Sequence, residues 1–148
     1  IVSCFAVFAF AAPPASAQTR SDWLVGTWVC KSTLRGVGYT MTWRYRSNGR
    51  FSMDYSSSGV RRGVRLASNG FGTGRWALGR NGQARRQYNS FVIERMTVNG
   101  RPARPRIYAR ATREMKNGVV RTRIVRQSRN AFRERPSRGG RAWRCRRR

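Results

Sequence analysis

The chain has 148 residues and carries 32 Lys plus Arg against five Asp plus Glu, a formal charge of +27 with no histidine at all. That length makes one domain, and 39% apolar with 11% aromatic residues is enough for one core, so wholesale disorder is excluded. A surface of this sign repels itself unless anions screen it.

Ile1 to Ala12 is apolar apart from Ser3 and is followed by Pro13-Pro14 and then Ala15-Ser16-Ala17. An apolar run ahead of an A-x-A signature reads as a signal peptide over residues 1–17, short of its basic start, with Gln18 opening the mature chain. The expected localisation is periplasmic or secreted, with no transmembrane span in the mature chain. Cleavage would remove Cys4 and leave Cys30 and Cys145, an even pair that in an oxidising compartment predicts one disulfide.

The mature chain reads as strands. Trp28-Val29-Cys30-Lys31 comes first. From Tyr39 to Tyr45 the odd positions Tyr39, Met41, Trp43 and Tyr45 are apolar and the even ones polar, an alternation that gives a strand one dry face and one wet face. Phe51, Met53 and Tyr55 resume the pattern in phase, so Ser47-Asn48-Gly49-Arg50 joins a hairpin. Gly70-Phe71-Gly72-Thr73-Gly74 reads as a turn before Trp76 and Leu78. Strand signals follow at Phe91 to Val98, at Ile107 to Thr112, and at Val120, Thr122 and Ile124 alternating with Arg121 and Arg123. The nearest approach to a helical period is Ala109 to Lys116, one turn at most. Arg126 to Arg141 is either a mobile loop or a long hairpin arm, and Arg146 to Arg148 a frayed basic tail.

Asn-Gly occurs at Asn48-Gly49, Asn69-Gly70, Asn81-Gly82, Asn99-Gly100 and Asn117-Gly118, with Gly139-Gly140 a sixth turn candidate. The pair accepts positive φ at both central positions, as type I′ hairpin turns require. Trp143-Arg144-Cys145-Arg146 repeats the W-x-C-basic pattern of residues 28–31, which predicts that the first strand pairs with the last and that Cys30 bonds Cys145 there. The resulting fold class is all-β, an antiparallel up-and-down meander of about 7–8 strands in a single domain over residues 18–145.

Asp22-Trp23-Leu24-Val25-Gly26-Thr27-Trp28 resembles the opening of lipocalin-like and avidin-like proteins, where G-x-W enters the first strand. The aromatic strand, Ser47 to Phe51, and Gly74-Arg75-Trp76-Ala77-Leu78 look like small bacterial lipocalin-like domains, over Asp22 to about Val98. The resemblance implies a β-barrel with Trp28 plugging one end. The later Trp-rich avidin strands are not recognisable, so biotin binding is not carried over.

No catalytic set stands out. Asp22, Asp54, Glu94, Glu114 and Glu134 are scattered singly among arginines, as solvated ion-pair partners would be, and no cofactor or metal is implied. The expectation is a non-enzymatic protein. One reading places a small hydrophobic or amphipathic ligand inside the barrel, lined by Trp28, Trp43, Tyr45, Phe51, Met53, Tyr55 and Trp76. The other is polyanion binding by an arginine-rich surface that includes Arg44, Arg61, Arg62, Arg85, Arg86, Arg121 and Arg123. Its partners would be lipopolysaccharide or another anionic envelope lipid or acidic polymer. Nucleic acid fits less well, because the aromatics sit on the core phase.

Overall fold

The computed structural model describes residues 21–116, 118–137 and 140–148; the leader expected over 1–17 lies outside them, as do Asn117 and Gly139 of two predicted turns. Alternating side chains give nine strands: β1 (Gly26–Leu34), β2 (Val37–Tyr45), β3 (Arg50–Arg61), β4 (Val64–Leu78), β5 (Gln83–Val98), β6 (Arg101–Pro102), β7 (Val119–Ser128), β8 (Ala131–Pro136) and β9 (Trp143–Arg147). All pairs are antiparallel, in the order β4-β3-β2-β1-β9-β8-β7-β5, and β4 pairs with β5 to close the ring. Eight strands thus form a closed up-and-down barrel without open edges. The two-residue β6 extends the end of β5. Arg126 to Arg141 resolves toward the hairpin, since β8 lies within it and pairs with both β7 and β9.

The ring closes where β1 meets β9. Cys30 stands directly opposite Cys145, both are buried, and their disulfide ties positions 115 residues apart. Chain-entropy reasoning assigns such a loop roughly 4–5 kcal/mol. Arg146 and Arg147 are not a frayed tail. Both lie in β9, where Arg147 donates to the carbonyls of Val25 and Trp23 and its guanidinium lies 4.4 Å from the ring centroid of Trp28. β9 thus supplies ladder bonds to β1 and β8, and its Arg147 covers a core ring.

Three hairpins turn on two residues in positive φ: Arg35-Gly36 (50° and 83°), Arg62-Gly63 (50° and 76°) and Asn99-Gly100 (50° and 79°). Asn81 and Gly82 also take positive φ, within a 3-10 turn over Arg80–Gly82, whereas at Asn48-Gly49 only the glycine does. Two expected turns are absent. Asn69-Gly70 and the stretch from Gly70 to Gly74 lie inside β4, with register shifts at Asn69/Gly70 and Thr73/Gly74. The glycines serve close approach instead of reversal, because a Cβ at Gly70 would come 2.1 Å from the Val92 carbonyl and one at Gly74 2.0 Å from that of Gln87.

The predicted strand at Ile107 to Thr112 is a helix, α1 (Pro105–Met115). Pro102 and Pro105 cannot donate to a ladder, Pro105 is well placed in a first helical turn, and the residues after it favour helix. Tyr108 anchors α1 to β5, its hydroxyl donating to the Met96 carbonyl and accepting from the Met96 N–H.

Candidate functional site

Inside the barrel, the expected ligand-lining residues pack on one another. Trp28, Trp43, Tyr45, Phe51 and Met53 are buried in one cluster, with Tyr55 and Trp76 half-buried against it. Trp28 plugs one end as expected: its indole N–H donates to the Leu24 carbonyl at 2.7 Å, and its ring meets Phe132 edge-on at 4.8 Å. Further along, Phe51 meets Tyr88 at 5.3 Å and Tyr55 stacks on Phe91 at 5.6 Å. The Trp76 indole N–H is shared between the carbonyls of Arg46 and Arg50, at the foot of the β2–β3 hairpin.

At the centre of this core sits a charge pair. Arg86, expected on the anion-binding surface, is 1% exposed, and Glu134, expected as a solvated surface carboxylate, is 5% exposed. Alternation along β5 places Arg86 between the inward-facing Ala84 and Tyr88, so it points into the barrel. Both guanidinium Nη atoms donate to the Glu134 carboxylate, Nε donates to the Tyr45 hydroxyl at 2.7 Å and Nη1 to that of Thr122 at 3.3 Å. The guanidinium carbon lies 4.4 Å from the centroid of Trp43, a stacked cation–π geometry. Burial opposes the charge on Arg86, but the Glu134 carboxylate outweighs it and fixes the guanidinium in its protonated form. Burial also raises the Tyr45 hydroxyl above its ordinary value and pushes that of Tyr88 up to about 12. Glu134 lies with the two sulfurs as well, all ligand atoms within 4.8 Å, but sulfurs bonded to each other offer no thiolate to a metal.

On the outer wall the charges follow the register. Arg85 on β5 stands opposite Arg121 on β7, Arg123 opposite Arg135 on β8, Arg133 opposite Arg144 on β9, and Arg144 in turn opposite Lys31 on β1. Opposed positions lie roughly 5 Å apart and next-nearest positions along one strand about 7 Å. Seven exposed cations therefore form a staircase around the barrel from β5 to β1, and among the described residues none of them has an ion-pair partner. The chain's five carboxylates all lie elsewhere: Asp22 before β1, Asp54 on β3, Glu94 toward the far end of β5, Glu114 on α1 and Glu134 inside. Like charges placed opposite one another destabilise a sheet, so this face is held against its own repulsion.

Of the surface residues expected from sequence, the structure brings together Arg85, Arg121 and Arg123. Arg44 is paired with Asp54, and Arg61 and Arg62 stand apart at the β3–β4 turn. Sequence reasoning missed Lys31, Arg133 and Arg135 as members of the face. Their signal was alternation with the buried Cys30, Phe132 and Glu134, which becomes readable only once the strand order is known.

No protein-family model and no curated protein matches this chain. The architecture itself defines the class: a closed, eight-stranded antiparallel barrel plugged at one end by the first-strand Trp28, compatible with a lipocalin-like fold. Its formed disulfide fits an oxidising compartment. Among the described residues, no helix is long and apolar enough to cross a membrane.

Proposed function

We propose that this is an exported, non-enzymatic, lipocalin-like barrel of the periplasm or extracellular space that binds polyanions of the cell envelope through its outer wall. One observation carries the reading: the staircase Arg85, Arg121, Arg123, Arg135, Arg133, Arg144 and Lys31, with no carboxylate on it. Arginine is suited to this work because its planar fork meets phosphate and carboxylate oxygens two at a time. A ligand inside the barrel, as the lipocalin resemblance implies, is less well supported, since it would have to displace the mutually packed Trp43, Tyr45 and Phe51 and the Arg86–Glu134 pair.

The test compares a variant with Arg121, Arg123, Arg133 and Arg135 all changed to Gln against a control with Arg61 and Arg62 changed to Gln, binding inorganic polyphosphate and anionic vesicles over a range of salt. At roughly 1 kcal/mol for each cation near an anionic surface, the fourfold variant loses on the order of a thousandfold in affinity and much of its salt dependence. The control loses far less. A loss in the control half as large as the variant's on a logarithmic scale, in proportion to the two charges removed against four, would show that net charge, and not this face, drives binding.

A further inference from the structure

Next to the cationic staircase the outer wall changes character. Arg133, Arg144, Lys31, Thr40 and Ser56 stand opposite one another in turn across β8, β9, β1, β2 and β3. Five strands at about 4.8 Å make this row roughly 19 Å long. Its first three members are cations and its last two are hydroxyls. These residues, together with Arg141, line an open groove of about 650 Å³, within the size range of sites for small ligands. Among the described residues, none of the six side chains makes a hydrogen bond or ion pair, so cations and hydroxyls alike are free to bind.

We infer that this groove binds an anionic saccharide, a chain of pyranose rings bearing carboxylate or phosphate. The inference rests on the polyanion reading and narrows it. Guanidinium and ammonium groups alone would hold any polyanion. Hydroxyls in register beside them both donate and accept, which matches a sugar ring that presents hydroxyls in return, whereas a phosphate oxygen can only accept and uses one side of that capacity. The groove's lining includes one aromatic, Tyr39, set edge-on to Trp143 at 6.2 Å, and not the succession of stacking platforms that a single-stranded nucleic acid would ask for.

The experiment titrates the intact oxidised protein at physiological salt with a short oligogalacturonate and with inorganic polyphosphate of equal charge. Two variants accompany it, Arg133→Gln/Arg144→Gln and Thr40→Val/Ser56→Ala, each checked for unchanged far-ultraviolet dichroism and melting. The first weakens both ligands. The second lowers affinity for the oligogalacturonate about tenfold, as expected for losing two hydrogen bonds, and lowers that for polyphosphate severalfold less. Equal binding of the two ligands, with no effect of the hydroxyl variant, overturns the saccharide inference while the polyanion reading stands. Failure of both ligands to bind brings down the two together. Vesicles carrying a phosphorylated glucosamine glycolipid separate the sources: a loss in the hydroxyl variant there places the sugar in a lipid headgroup, a loss confined to the soluble oligomer places it in a free polymer, and a loss on neither refutes the inference.

Discussion

Changing Glu134 to Leu strikes the most heavily committed charge in the molecule. The Arg86 guanidinium, 1% exposed, would keep only the neutral hydroxyls of Tyr45 and Thr122 and the ring of Trp43. Removing one partner of a buried pair costs roughly 3–5 kcal/mol, because the remaining charge is left in a poorly polarisable interior. At roughly 3–5 °C per kcal/mol for a domain of this size, melting falls by about 10–20 °C. The double variant Arg86→Met/Glu134→Leu removes both charges and leaves two unpartnered hydroxyls, a smaller penalty. Urea unfolding followed by tryptophan fluorescence should therefore rank wild type first, the double variant second and the Glu134 single variant last. A single variant within 1 kcal/mol of wild type, or a double variant no better than the single one, would refute the claim that this pair is buried and mutually compensated.

Burial pushes the Tyr88 hydroxyl up to about 12 from an ordinary 10, so the unfolded chain releases its proton first; stability is whole below pH 10 and drains away as pH climbs through about 12. Tyrosinate absorbance alongside urea midpoints checks this, and ionisation of all five tyrosines near pH 10 in folded protein would contradict it. At the β3–β4 turn, Arg62 holds a φ of 50° that asparagine adopts more readily. Arg62→Asn should gain about 0.5–1 kcal/mol, seen as a raised melting temperature, and an unchanged or lowered one would reject the turn argument.

The sequence made the barrel legible where local and global demands coincide. Tyr39 to Tyr55 keeps its apolar phase through the hairpin, and Trp28, Cys30, Trp143 and Cys145 share a spacing that the β1–β9 seam uses directly. It misled where one residue type serves two ends. Asn69-Gly70 has the chemistry of a reversal but is used for close packing within β4, while Arg35-Gly36 and Arg62-Gly63 turn hairpins without the usual asparagine. The Ile107 to Thr112 run alternates like a strand, yet Pro105 two residues ahead of it opens a helical first turn and the residues that follow continue it. The site was half visible. Arg121 and Arg123 follow from alternation alone; Arg86 shares the inward phase of Ala84 and Tyr88, but an arginine on that phase is accounted for only by Glu134, 48 residues away, which balances its charge inside the barrel.

The β1–β9 seam also sets the timetable of folding. The other strand pairs are between chain neighbours or nearly so, whereas the β1–β9 pairing joins Cys30 to Cys145 across 115 residues. Such non-local closure belongs to the slow end of small-domain folding, milliseconds to seconds. Until β1 and β9 meet, the chain holds an open curl of sheet with two bare edges, and their pairing turns it into a barrel.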